Sequence, residues 1–153
     1  MALRRAKAVG AASCQVFVKN NMRWFGRLAT AQEVTAYTAE LACGGISCVF
    51  GHTGYLINLA AAPSANRDNS LKSLIQEIEV AAQFGLPFLV MHPGAHLGLG
   101  EARALEQIAC ALDEVFKATK NLKVRVALEN TAGQGTCLGN RAEHFAMIFD
   151  RVG

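Results

Sequence analysis

The chain has 153 residues, enough for one domain, and 52% of them are hydrophobic, which suits an α/β fold with strands buried on both faces. No segment reaches the roughly 18 consecutive apolar residues of a membrane-spanning helix, so no membrane partner is expected. Fifteen basic and twelve acidic residues give a formal charge of +3, which is compatible with a phosphate-bearing partner but does not require one.

The first half of the chain alternates predicted helices and strands. Thr30, with Glu33 three residues later, predicts the N-cap of a helix that continues to Cys43 and ends at a pair of glycines. Around this helix we predict a helix tail over residues 3–12, a strand over residues 14–20 (CQVFVKN) and a strand over residues 46–50 (ISCVF).

The second half continues the same alternation. Ser64 or Asn66 begins a helix whose apolar residues recur at helical spacing up to Gly85. Strands are predicted at residues 87–92 (PFLVMH) and 124–129 (VRVALE), and helices at residues 101–119 and from residue 141 onward. A helix followed by four strand–helix units predicts a parallel sheet with right-handed crossovers. Four parallel strands are half of an eight-stranded barrel, so the expected domain, residues 1–153, is incomplete.

The five cysteines are odd in number, scattered and without CxxC spacing. We therefore predict that they are reduced residues in the core of an intracellular protein, in the cytoplasm or nucleoid, or in the nucleus of a eukaryote. These cysteines are Cys14, Cys43, Cys48, Cys110 and Cys137.

Three predicted strands end in a residue that can bind a metal ion. His52, His92 and Glu129 each follow a short apolar run, at intervals of 40 and 37 residues, close to one strand–helix unit. The carboxyl ends of neighbouring parallel strands lie at one edge of a sheet, so we expect these side chains to converge. Two histidines and a glutamate leave one zinc coordination position open for water, as in catalytic rather than structural zinc sites.

Three motifs in collinear order resemble the endonuclease IV family, the zinc-dependent apurinic/apyrimidinic endonucleases. They are residues 52–59 (HTGYLINL), 92–98 (HPGAHLG) and 129–139 (ENTAGQGTCLG). The resemblance implies a (β/α)8 TIM barrel with up to three Zn²⁺ ions in its mouth. It further implies hydrolysis of the phosphodiester bond 5′ to abasic sites in double-stranded DNA, a step of base excision repair.

The resemblance also implies roles for individual residues. It makes His52, His92 and Glu129 zinc ligands and catalytic residues, with Glu129 bridging to a second metal. Tyr55 and Leu56 match the loop that fills the gap left by the missing base. The loop after the first strand contacts the DNA backbone, and there the matching residues are Lys19, Asn20 and Arg23. An orienting role for neighbours of the metal ligands is expected at His96, Asn130 and Gln134. His144 is interpreted as a surface or capping residue.

The chain departs from the family pattern in several places. Met22 stands where the family has an arginine wedge, and Gly51 stands where it has a proline. The family's first strand and everything after its fifth strand have no counterpart, so the chain matches the second to fifth units and has one nearly complete zinc site. We therefore expect it to be inactive alone, and to self-associate or bind a complementary half barrel.

Two other functions remain open at this point. Xylose-isomerase-like barrels that isomerise or epimerise sugars also place histidine and carboxylate metal ligands at strand ends. Alternatively, the chain is a non-catalytic remnant that binds metal or DNA.

Overall fold

The computed structural model describes residues 2–153, so the start of the predicted domain, Met1, lies outside the described residues. These residues form five helices and four strands in alternation, which confirms the predicted order. The elements are α1 (Ala2–Ala8), β1 (Ser13–Phe17), α2 (Ala31–Ala42), β2 (Cys48–His52), α3 (Ala65–Gln83), β3 (Phe88–Met91), α4 (Glu101–Ala118), β4 (Arg125–Leu128) and α5 (Ala142–Phe149). All neighbouring strands are parallel, in the order β1-β2-β3-β4.

The helix starts follow the local sequence signals. Thr30 accepts a hydrogen bond from the backbone of Glu33, and the Glu33 carboxylate accepts one from the Thr30 backbone, so the predicted capping box forms. Ser64 caps α3 by accepting from the Arg67 backbone. The first helix ends at Ala8 rather than residue 12, because Gly10 turns the chain with φ of 74°.

The register of the sheet decides which side chains share a face. Phe17 lies opposite His52, and His52 lies opposite Val90. Since side chains alternate along each strand, the face that carries His52 also carries Phe50 and Phe88, whose rings stack at 4.9 Å.

The helices cover the other face of the sheet. Val49, Leu89 and Met91 point towards them and are buried, and they pack with buried residues of α3 and α4 such as Ile78 and Ile108. The face with the predicted metal ligands therefore has no helix over it among the described residues. On that open face Phe17 keeps 39% of its surface exposed.

Helix α2 packs more loosely than α3 and α4. None of its residues is buried, and a cavity of about 640 Å³ lies beneath it, lined partly by Tyr37, Phe84 and Leu86. This is the larger of the two cavities described, but it contains none of the predicted metal ligands, so size alone does not identify the functional site.

The cysteines are free, as predicted, but their predicted core location is wrong. Cys43 and Cys110 are exposed, and Cys14, Cys48 and Cys137 are only half-buried. Their apolar neighbours in sequence did not indicate burial, because Cys110 lies on the outer side of α4 and Cys48 on the open face of the sheet.

The described helices include none that is both long enough and apolar enough to cross a membrane.

Gly51 offers a test of the sheet packing. A Cβ atom at this position would lie 2.2 Å from Cδ2 of the fully buried Leu89. We expect Gly51→Ala to lower the free energy of unfolding by about 1–3 kcal/mol, because Leu89 has no free space into which to move. The double variant Gly51→Ala/Leu89→Val conserves total volume and should recover most of this loss in urea denaturation. Equal stability of Gly51→Ala and wild type would contradict the packing.

Candidate metal centre

Three side chains converge where the strands of the open face end. His52 ends β2, His92 follows β3 and Glu129 follows β4. The Nε2 atoms of His52 and His92 lie 2.9 and 3.1 Å from the same carboxylate oxygen of Glu129, Oε2. One ligand atom from each residue falls within 4.8 Å of the other two, and the described residues contain no other such group. The predicted convergence is confirmed.

The orientation of the His52 ring leaves one nitrogen free to bind a cation. Its Nδ1 atom lies 2.8 Å from the Thr53 carbonyl oxygen, so Nδ1 carries the hydrogen and donates it. In the neutral ring Nε2 then has a free lone pair, and this lone pair faces the Glu129 carboxylate. Two lone pairs directed at each other at 2.9 Å require a positive charge between or on them. A metal ion that shares both groups meets this requirement.

The donor set fits zinc. Bonds of about 2.0–2.1 Å in tetrahedral geometry separate ligand atoms by roughly 3.3 Å, close to the distances seen here. The neighbouring imidazoles, His52 first and then His92, lower the pKa of Glu129, so its carboxylate is ionised, as a metal ligand must be.

The centre is open on one side. His52 is buried, whereas the side chains of His92 and Glu129 are 55% and 42% exposed. A cavity of about 230 Å³ adjoins both histidines and is bordered by Tyr55 and Asn58. A small group can therefore reach the centre from solvent.

An aromatic cluster covers the buried side of His52. The Phe17 ring packs edge-to-face against His52 at 5.6 Å and against Tyr55 at 5.4 Å. Phe17 is a site residue that the sequence analysis missed, although its place at the end of β1, in register with His52, was a usable signal. It holds the imidazole from the side opposite Glu129 and supports the base of Tyr55.

Comparison with known proteins identifies the family. Residues 3–153 match the family described as xylose isomerase-like TIM barrel. The chain belongs to this family. The chain is 40% identical over 148 residues to a probable endonuclease 4 of Chloroflexus aggregans, and 38% identical over 144 residues to one of Geobacter sulfurreducens. These matches cover 97% and 94% of the chain but only 52% and 49% of the relatives, so the chain spans about half their length.

Solved structures agree with the family assignment. Endonuclease IV from Thermus thermophilus superimposes with a TM-score of 0.82 at 29% identity, over 96% of this chain and 52% of that one. A D-tagatose 3-epimerase-like protein superimposes with a TM-score of 0.75 over 95% of this chain and 54% of that one. At 14% identity this second likeness concerns the fold alone. The predicted partial TIM barrel and the resemblance to endonuclease IV are confirmed.

In this half TIM barrel the residues predicted to contact DNA lie in two loops beside the metal centre. Tyr55 is 61% exposed at the rim, and Leu56, the next residue, is half-buried. In the loop after β1, Asn20 and Arg23 are exposed. The Asn20 side chain accepts a hydrogen bond from the Met22 backbone and so shapes the turn that presents Arg23.

Lys19 is placed differently from its predicted role. Its side chain is only 6% exposed, and Nζ lies 2.8 Å from Oε1 of Glu77, which is 1% exposed. It also donates to the Arg23 carbonyl at 2.6 Å. A lysine held inside the protein by these partners is not available to a phosphate in this conformation. The strand ends at Phe17 rather than at the predicted Asn20, and Lys19 lies in the bend that follows.

The three residues predicted to orient metal ligands do not contact them through hydrogen bonds. Within residues 2–153, Asn130 and Gln134 are exposed and their side chains form no hydrogen bond to Glu129. The His96 ring accepts a long hydrogen bond from the Gly98 backbone and stays outside the metal cluster. The orienting contact comes instead from the Thr53 carbonyl, which no side-chain motif could have indicated.

His144 is interpreted from the sequence as a surface or capping residue, and the surface interpretation is wrong. Its side chain is 1% exposed, and Nδ1 accepts a hydrogen bond from the Gly139 backbone at 2.9 Å. His144 thus fixes the end of the loop that begins at Glu129, from a position inside the protein. Its place on an amphipathic helix with buried Ile148 was a signal for burial.

Asn58 joins the loop after β2 to the loop after β3. Its side chain donates to the Ala95 carbonyl and accepts from the backbone of Ala95 and Ala60, at 2.9–3.1 Å. Gly94 fits against it, since a Cβ there would lie 2.3 Å from Asn58 Oδ1. Asn58 therefore fixes the loop that follows His92. A lone amide inside the apolar run YLINL was the signal for this role.

Zinc binding by single variants tests the centre. We expect His52→Ala, His92→Ala and Glu129→Ala each to weaken Zn²⁺ binding by at least about 100-fold in calorimetric titration, because each removes one of three ligands. His96→Ala is the matched control, since it removes a neighbouring imidazole outside the cluster, and it should bind zinc like wild type. Wild-type affinity in the ligand variants, or a loss only in His96→Ala, would contradict the assignment.

Proposed function

We propose that this chain supplies one zinc site and two DNA-contacting loops of an endonuclease that hydrolyses the phosphodiester bond 5′ to abasic sites. The observation that carries the proposal is the convergence of His52, His92 and Glu129 at one point beside the exposed Tyr55. Similarity to proteins named probable endonuclease 4, over nearly the whole chain, gives this geometry its chemical context.

In this proposal each residue of the metal site has a separate role. His52 and His92 would hold the metal through Nε2, and the Thr53 carbonyl fixes the His52 ring. Glu129 contributes one oxygen to this site and has a second oxygen available for a neighbouring cation. Zinc in such a site supplies a Lewis acid for a phosphoryl oxygen and lowers the pKa of a bound water. The exposure of His92 and Glu129 leaves space for the phosphate.

The two loops supply recognition in this proposal. Tyr55 stands at the rim, where an aromatic ring can occupy the gap left by a missing base. Leu56 lies beside it as a second apolar group. Arg23, exposed and presented by the Asn20 turn, neutralises backbone phosphate. Met22, 63% exposed, replaces the family's arginine with an apolar side chain, which favours contact with a base rather than a phosphate.

The proposal also concerns the open face of the sheet. Phe17, Phe50 and Phe88 line it, and both β1 and β4 have one edge without a partner among the described strands. Such a surface favours association with a second half barrel, either a complementary segment or another copy of this chain. The remaining zinc ligands of the family would come from that second half.

Binding to damaged DNA tests the recognition loops. We expect the wild-type chain to bind a duplex with a tetrahydrofuran abasic-site analogue more tightly than an intact duplex. Tyr55→Ala should reduce this preference about tenfold, since an aromatic contact to a base contributes roughly 1–3 kcal/mol. Phe149→Ala is the matched control, because Phe149 is similarly exposed, at 64%, on helix α5, which belongs to neither of the two loops. Fluorescence anisotropy at fixed salt measures both effects.

Two outcomes would contradict this recognition role. Equal binding of abasic and intact duplexes by wild type would refute it, as would an identical loss of preference in the Tyr55→Ala and Phe149→Ala variants. Turnover of free sugars with Mn²⁺, without binding to abasic DNA, would favour the sugar epimerase alternative.

Incision tests whether the second half barrel is needed. We expect the purified chain with Zn²⁺ to give no robust EDTA-sensitive cleavage of the abasic duplex, because the described residues contain one metal-binding group. We also expect self-association in sedimentation velocity at micromolar concentration. Robust incision by the chain alone, or a monodisperse monomer, would contradict the proposal of an incomplete barrel.

A further inference from the structure

Helix α3 reaches both recognition loops through one buried ion pair. We define the first loop as residues 18–30 and the second loop as residues 53–64. Glu77 of α3 accepts the Gly54 backbone N–H with both carboxylate oxygens at 3.1 Å, and so contacts the second loop. Its partner Lys19 belongs to the first loop and donates onward to the Arg23 carbonyl at 2.6 Å. One carboxylate is thereby connected to both loops.

Further contacts tie the first loop to the same helix. Ser73 donates to the Trp24 carbonyl at 2.6 Å, and Gln76 accepts from the Gly26 backbone at 2.8 Å. The two loops also bond directly, because the Tyr55 backbone N–H donates to the Asn21 carbonyl at 3.0 Å. Tyr55 is therefore held between a bond to the first loop and the Gly54 bond to Glu77.

The space around Gly54 is shaped for this arrangement. A Cβ atom at residue 54 would lie 2.8 Å from Lys19 Nζ and 3.3 Å from both the Asn21 carbonyl oxygen and Glu77 Oε1. A side chain at residue 54 would therefore displace the Lys19 ammonium group from its place beside Glu77. The close packing around residue 54 thus explains why a glycine precedes Tyr55, without reference to DNA binding.

Stability alone does not explain a charged pair at this position. Removing two charges from water costs several kcal/mol, and apolar residues of similar volume often replace a buried pair without loss of stability. Burial raises the pKa of Glu77, against the opposing effect of Lys19, which reflects that cost. An apolar pair would lack the carboxylate oxygens that accept the Gly54 backbone N–H.

We propose that Glu77, in its ion pair with Lys19, holds Tyr55 beside the first loop by accepting the Gly54 backbone N–H, and so positions Tyr55 for recognition of the lesion. This inference rests on the proposed function. It assigns Lys19 to the support of the loops rather than to contact with phosphate. Arg23 keeps the phosphate contact, and Lys19 sets the position of Arg23 through its carbonyl.

Two double variants separate positioning from stability. Lys19→Met/Glu77→Leu replaces the pair with apolar side chains and removes the acceptor for Gly54. Lys19→Met/Glu77→Gln also removes the ion pair but keeps an amide oxygen that accepts from Gly54. The comparison between them isolates the Gly54 hydrogen bond, because both lack the lysine and both lack the buried charges.

We expect the preference of the leucine variant for abasic over intact duplex to be about tenfold lower than that of wild type, because one hydrogen bond is lost. The glutamine variant should stay within about threefold of wild type. Zinc affinity should be unchanged in both, since neither replaces a metal ligand. In the absence of DNA, amide hydrogen exchange at residues 54–57 should accelerate in the leucine variant and not in the glutamine variant.

Several results would overturn the inference. Wild-type preference for abasic DNA in the leucine variant would do so, as would a loss in both variants that follows their melting temperatures. Unchanged hydrogen exchange in the leucine variant would refute the positioning itself. A wild-type chain without any preference would refute the proposed function, and hydrogen exchange would then still report whether the pair orders the second loop.

Discussion

The register of the parallel sheet is the constraint on which the site depends. Phe17 opposite His52, and His52 opposite Val90, place every second residue of β1, β2 and β3 on the face that the helices leave uncovered. The three predicted metal ligands lie where these rows reach the carboxyl ends of the strands. A shift of one residue in any strand would turn its ligand towards the helices. The apolar packing of Val49, Leu89 and Met91 on the opposite face therefore determines where the three side chains meet, and the Met91 carbonyl also accepts a hydrogen bond from the Glu129 backbone at 2.8 Å.

Polar groups buried below the loops restrict how the loops can move. Asn58 links the loops after β2 and β3, and Glu77 links the loops after β1 and β2. Loops of this length have many conformations, and each fixed backbone group removes part of that freedom before a ligand arrives. Because both residues bond to backbone atoms, they restrict the position of a loop without limiting which side chains it presents. Residues that the loops present to solvent, such as Met22, can then vary on an unchanged frame.

The sequence predicted the fold and the convergence of three potential metal ligands well because both depend on local patterns. Helical periodicity, the Thr30 capping box and the apolar runs before His52, His92 and Glu129 are readable within a few residues. The supporting residues were missed because their roles depend on distant partners. Lys19 and Glu77 are 58 residues apart, and the pairing becomes visible only when α3 is placed beneath both loops. The position of Glu77 did indicate that it is buried, since it lies on the buried stripe of α3 between Leu74 and Ile78.

The exposure of the proposed metal ligands is connected with the open face of the half barrel. Zinc chemistry on a phosphate gains strength when water is excluded, because electrostatic interactions weaken in a high dielectric. In this half barrel His92 and Glu129 are about half exposed, and the open face beside them carries three phenylalanines. A second half barrel that buried the phenylalanines would also lower the dielectric around the ligands. Its assembly would thus supply both the hydrophobic free energy to close the barrel and the dry environment that the chemistry needs. On this view the proposed catalytic environment and the surface that a second half barrel would bury are the same face of the sheet.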